Sequence, residues 1–232
     1  MRIIYVRHDQ DGICTYCTGM RNLYGYLSYA CYLEGDARRS CGCCKDKKER
    51  YHHYCLRYPA RCSERCHMRL RPYISDKDFE RIKNWIADER MHAMWCADRF
   101  EYPLNKDNFD SYLDKIASER EDYALVASTD DDITLGFLCY GVNYETNEGM
   151  LKFVIVDPEV RGKGIAKHML DLIVRYGFEI TNVDAVHLNV FTENPRARRC
   201  YEKAGFVERN TTPEAYPYKD EKWGRCNMII RK

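Results

Sequence analysis

For residues 68–232 the sequence predicts a mixed α/β fold: an antiparallel meander first, then a strand-helix-strand crossover. Three observations predict it. The run "MLKFVIV" is apolar and β-branched, as a strand buried on both faces is. Directly after it, Ile165, Ala166, Met169, Leu170 and Ile173 keep helical spacing. Further on, "DAVHLNV" alternates apolar and polar residues, the pattern of a second strand.

The elements follow in order. A strand over 69–73 leads to a helix with Phe79, Ile82 and Ile86 on one face, its start capped by Ser75 or Asp76. An aromatic, acidic stretch over 94–102 precedes a second helix over 106–118. Strands over 123–128 and 134–142 are joined by the turn "TDDD". The buried strand spans 150–156. The helix after it starts at Ile165, with Gly177 as its C-terminal cap. "PRARRCYEKAGF" is a short helix closing at Gly205, and "RCNMII" is a final strand.

Residues 1–67 differ in kind. They hold 12 Lys+Arg against 7 Asp+Glu, which leaves 25 against 29 for residues 68–232, and nine of the thirteen cysteines. No stretch of them keeps a helical or alternating period, and they contain no Phe or Trp. Two readings stand side by side. In one, Cys14, Cys17, Cys41 and Cys44 form two C-x-x-C pairs offering four thiolates to a tetrahedral zinc, in a basic, tyrosine-rich module suited to nucleic acid. In the other, the segment is an upstream extension before a start at Met68. No apolar run approaches membrane-spanning length, and the N-terminus lacks the basic-then-apolar order of a secretory signal. A soluble, cytoplasmic protein without a membrane partner is the expectation.

The turn "DPEVRGKGIAKHML" joins the buried strand to its helix with two glycines and a cluster of positive charge. It does not supply GxxxxGK[ST], and Lys167 stands where the third glycine of GxGxxG belongs. It does fit [RQ]-x-x-G-x-[GA], from Arg161 to Ala166. This resembles the acyl-CoA-binding motif of the GNAT superfamily of N-acetyltransferases. The later run "NVFTENPRARRCYEKAGF" resembles the family's next motif, with Asn194, Tyr201, Gly205 and Phe206 at matching positions. The resemblance covers residues 68–232.

It implies a mostly antiparallel sheet with helices on both faces, and two strands, 150–156 and 184–191, that splay apart to admit acetyl-CoA. The physics of the turn agrees: open N–H groups and the positive end of a helix dipole suit a diphosphate. By resemblance, Arg161, Gly162, Lys163, Gly164, Ile165, Ala166 and Lys167 hold the cofactor's diphosphate. Val154, Ile155 and Val156 meet its pantetheine arm and the thioester oxygen, and Asn194 contacts the arm. Tyr201 protonates the departing thiolate, while Cys200 is a packing residue. Asn194 also reads as an N-cap ahead of Pro195.

The implied reaction is acetyl transfer to a primary amine, of a small molecule or a protein N-terminus. The opening "LRPYISDKDF" resembles the branch that acetylates ribosomal-protein N-termini. Asn189 occupies a position where some family members carry a glutamate base, and it cannot serve as one. Glu145, Glu148 and Glu193 are the other carboxylates considered for that role. Asp88, Glu89, Asp98 and Glu101 suit a cationic acceptor, and Trp95, Tyr216, Tyr218 and Trp223 are candidates to line its cleft. A non-catalytic acyl-CoA sensor remains the alternative use of the same turn.

Overall fold

The computed structural model describes residues 68–232; the cysteine pairs proposed for zinc lie outside the described residues. Among the described residues seven strands form one sheet: β1 (Arg69–Pro72), β2 (Tyr123–Ser128), β3 (Thr134–Asn143), β4 (Glu148–Val156), β5 (Ala185–Phe191), β6 (Val207–Tyr218) and β7 (Glu221–Arg231). Their order is β1-β2-β3-β4-β5-β7-β6. Every neighbouring pair is antiparallel except β4 and β5, which are parallel. That exception follows from the crossover, because α4 (Ile165–Glu179) carries the chain back to the starting edge.

Helices cover both faces. On one, α1 (Ser75–Lys83), α2 (Glu89–Cys96) and α3 (Lys106–Arg120) bury Phe79, Ile82, Phe100 and Phe109 against Phe137 and Cys139 of β3. On the other, Met169, Leu170 and Ile173 of α4 and Tyr201 of α5 (Pro195–Lys203) pack on Leu138, Leu151 and Leu188. β3 is buried on both sides, as its unbroken apolar run requires.

Several elements depart from the sequence reading. The N-cap of α1 is Ile74, with no side-chain cap. Ser75 instead donates to Asp110, and Asp76 pairs with Lys106 at 2.8 Å. The open N–H of Ile74 is met by Asp78, at 2.8 Å, which Arg71 grips through two hydrogen bonds of 2.7 and 2.8 Å. The aromatic stretch near 94–102 begins in α2, capped by Asp88. α4 runs past Gly177 to Glu179. Gly177 is there for close packing: a Cβ would sit 2.9 Å from Val186 Cγ2. β6 carries no apolar alternation, and its Pro213, Pro217 and two register shifts mark a polar edge strand.

Candidate active site

β4 and β5 pair only from Glu148↔Ala185 to Leu151↔Leu188. Beyond Leu151, β4 stays paired with β3 and β5 with β7, so the two strands separate. The parting coincides with a bulge. Phe137 faces Ile155 and Cys139 faces Lys152, so Phe153 and Val154 together oppose Leu138. Phe153 sits at φ 53°, a left-handed conformation that strains an aromatic residue. The Trp95 indole of α2 donates to the Phe153 carbonyl at 2.8 Å and holds the bulge from the opposite layer.

The gap opens into a cleft of about 1060 Å³. Its floor includes Val154, Ile155 and Val156, and its mouth is the turn before α4. Gly162 and Gly164 adopt φ 80° and 83°, which glycine alone takes without strain. Apart from the adjoining residues of the turn, no atom of the described residues lies within 4 Å of a Cβ added at either, so that side of the turn is open. The helix's first N–H groups, of Ile165, Ala166 and Lys167, precede its first hydrogen bond, from the His168 N–H to the Gly164 carbonyl at 3.0 Å.

Charge gathers at this mouth. The Arg161 Nε–H donates to the Val156 carbonyl at 3.0 Å, tying the turn to the end of β4. Burial and then the neighbouring Arg196 lower the Arg161 pKa, with Asp157 opposing them. Lys167 lines the cleft and pairs with Asp171 at 2.7 Å. Lys163 departs from its expected place: its ammonium donates to the Glu159 carbonyl at 2.9 Å, and it does not line the cleft. Arg196, Arg199 and Lys203 of α5 do, although no motif position singled them out. Their i, i+3 and i+7 spacing puts them on one face of α5, a signal available in "PRARRCYEK".

Asn194 serves both readings: its Oδ1 accepts from the Ala197 N–H at 3.1 Å as the N-cap of α5, and the residue lines the cleft. Tyr201 also lines it, 8% exposed, and burial raises its phenol pKa. Burial likewise raises the thiol of Cys200, against Lys203 and Arg196, which suits packing better than nucleophilic work.

The acceptor side differs from expectation. Of the four aromatics, only Trp95 lines the cleft; Tyr216 and Tyr218 lie on β6 and Trp223 on β7, stacked into a separate cluster with Ala93. Asp88 lines the cleft, whereas Glu89 pairs with Lys219 and Asp98 accepts from the Tyr216 hydroxyl. Glu148 is held by Arg209 at 2.8 Å and Glu193 accepts from Thr192 at 2.9 Å; neither lines the cleft, nor does Glu145. Asn189 lines it, its Oδ1 accepting from Asn227 at 2.9 Å. Among the described residues no cluster of His, Cys, Asp and Glu could hold a metal ion, and no helix is long and apolar enough to cross a membrane.

Comparison with known proteins bears on this geometry. The family described as Acetyltransferase (GNAT) matches residues 79–206. A spermidine N(1)-acetyltransferase of Vibrio cholerae is 38% identical over 63 residues, which are 27% of this chain and 36% of that protein. A spermine/spermidine N(1)-acetyltransferase of Bacillus subtilis is 30% identical over 78 residues, 31% of this chain and 51% of that protein. These sequence matches thus span between about a third and half of each relative. The crystal structure of the Vibrio cholerae spermidine N-acetyltransferase with CoA and spermine superposes with TM-score 0.61 at 25% identity, covering 71% of this chain and 95% of that one.

Proposed function

Because the chain belongs to the acetyltransferase (GNAT) family, we propose that it moves an acetyl group from acetyl-CoA to a primary amine, using the cleft between β4 and β5. The observation that carries this is the coincidence of three features at one place. Strands part after Leu151, a left-handed glycine turn follows β4, and the buried Tyr201 lines the same cleft. The relatives act on spermidine or spermine by name, and the related structure contains CoA.

The residues fit such a donor. Acetyl-CoA brings an activated thioester and a diphosphate. The open amides of Ile165, Ala166 and Lys167, with Arg161 and the basic face of α5, suit the diphosphate. The backbone of β4 from Val154 to Val156 has lost its β5 partner, which leaves it free to pair with the pantetheine arm and to donate an N–H to the thioester oxygen. The amine nitrogen forms its bond to the carbonyl carbon, the carbon–sulfur bond breaks, and the Tyr201 hydroxyl gives its proton to the leaving thiolate; the proton that the nitrogen sheds on becoming an amide restores the phenol through water. A raised pKa keeps that proton in place at neutral pH. Among the described residues the one carboxylate lining the cleft, Asp88, is taken up in capping α2, so the acceptor nitrogen enters already neutral or loses its proton to water.

We assign the activity to residues 68–232, whose elements begin with β1 and whose core includes Met68. The thiols of Cys96, Cys139, Cys200 and Cys226 are free, which fits a reducing, cytoplasmic setting. The test is amine-dependent release of free thiol from acetyl-CoA. Tyr201→Phe should lower turnover by about 100-fold while binding acetyl-CoA as the parent does. Acetyl-CoA binding with no thiol release from the parent would favour the sensor instead.

A further inference from the structure

The cleft's charge runs opposite to that of the domain that holds it. Residues 68–232 carry more acidic than basic side chains, and an acidic domain suggested a cationic acceptor. The cleft lining reverses this: among the described residues, ten Lys or Arg side chains stand against one carboxylate, Asp88. Even Asp88 is engaged, since it accepts from the Met91 N–H at 2.7 Å to cap α2.

Five of the ten, Arg161, Lys167, Arg196, Arg199 and Lys203, belong to the turn and to α4 and α5, where the diphosphate is assigned. The other five come from α2, α3, β4 and β7 and the loops beside them, apart from the turn assigned to the diphosphate. Arg90 pairs with Glu221, and Lys152 pairs with Asp122. Arg99, Arg120 and Arg225 have no ion-pair partner among the described residues. Arg99 follows α2 and Arg120 ends α3, so two separate elements bring cations to one cleft. Tyr112 lines it with them, and burial raises its phenol pKa against their charges. The Tyr112 ring lies 6.0 Å from Phe153, the strained residue of the β4 bulge.

Unpaired guanidiniums converging on a cleft repel a polycation and bind carboxylate or phosphate through paired N–H donors. We infer that the acceptor is a primary amine that also carries an anionic group, a carboxylate or a phosphate, held by Arg99 and Arg120 with Arg225 on the β7 wall. This inference rests on the acetyltransferase reading and sets the acceptor apart from the polyamines of the related enzymes. The Arg fork would orient the anionic end and leave the amine facing the bulge.

The experiment compares matched amines with the full chain at fixed acetyl-CoA, following thiol release. Putrescine is set against 4-aminobutyrate, ethylenediamine against phosphoethanolamine, and a basic against an acidic peptide with the same N-terminal residue. Expected is a kcat/KM at least about tenfold higher for the anionic member of one or more pairs, and the pair that shows it separates carboxylate from phosphate. The Arg99→Gln, Arg120→Gln double variant should raise KM for that acceptor about tenfold and leave the calorimetric affinity for acetyl-CoA unchanged, which also reports that it folds. Arg→Lys at both positions should recover part of the loss. Preference for the dicationic or basic member in every pair overturns the inference alone. A preference for anions that survives the double variant overturns the assignment to Arg99 and Arg120. Release with none of the amines while acetyl-CoA still binds overturns the acetyltransferase reading on which the inference stands.

Discussion

Tyr201 and Lys163 show how far single residues were legible. Tyr201 was named from a motif, and the fold does bury it on the cleft wall, where desolvation holds its phenol protonated. Its raised pKa has a consequence for rate. The acid form persists above the ordinary tyrosine value of about 10, so turnover should rise as the acceptor amine deprotonates and show no alkaline decline below that pH. An alkaline limb near pH 8 in the parent that is absent from Tyr201→Phe would contradict this. Lys163 was named from the same motif by charge alone. Its side chain turns back to the Glu159 carbonyl because it stands between two left-handed glycines. Charge in a sequence does not carry direction, whereas the helical spacing of Arg196, Arg199 and Lys203 did.

At the scale of elements, periodicity located the strands and helices of the core and failed where polarity or packing overrode it. β2 was read with the bounds it has, because both its faces are buried and turns flank it. β6 was not read at all, since an edge strand facing solvent has no reason to alternate. A glycine near a helix end usually caps it, yet at Gly177 tight contact with Val186 explains the residue. The bulge in β4 left no mark in "KFVIV" either. It depends on a partner in another layer, Trp95, whose indole N–H meets the Phe153 carbonyl. Trp95→Phe removes that donor and should destabilise the protein by about 1 to 2 kcal/mol, while lowering turnover through a looser bulge. Equal melting temperature and equal rate in thermal and kinetic assays of the two proteins would show that β4 holds its bulge unaided.

At the scale of the whole molecule, charge and protonation behave differently from any single pair. The summed charge of residues 68–232 pointed toward a cationic ligand, but the folded arrangement places basic groups inward at the cleft, a segregation no composition records. Three histidines give the domain a definite pH response. Burial lowers the pKa of His92, His168 and His187 below their ordinary 6.5. The unfolded chain therefore takes up protons near pH 6.5 that the folded one refuses, so stability is full above that value and falls as pH drops through it. Below about pH 4 the carboxylates add to the loss, because Asp132, paired with Lys77 and Arg71, has its pKa held down to about 2. Denaturant melts should show the unfolding free energy flat from pH 8 to about 7 and declining from about 6.5 downward; a curve flat to about pH 5 would contradict the assignment. For residues 1–67, metal analysis of the full chain separates the two readings, one zinc per chain for a four-thiolate site and none for an extension.

We propose that the glycine turn before α4 grips the diphosphate of acetyl-CoA, and the rest of the cleft's assignment depends on that grip. Calorimetric titration of the full chain with acetyl-CoA, run beside Gly164→Ala, decides the matter. A methyl group at this position strains a left-handed residue by about 1 kcal/mol and projects into the open side of the turn. Expected are one site per chain in the parent and an affinity at least about tenfold weaker in the variant, a loss of about 1.4 kcal/mol or more. Absence of heat in the parent, or equal affinity in both proteins, would contradict it.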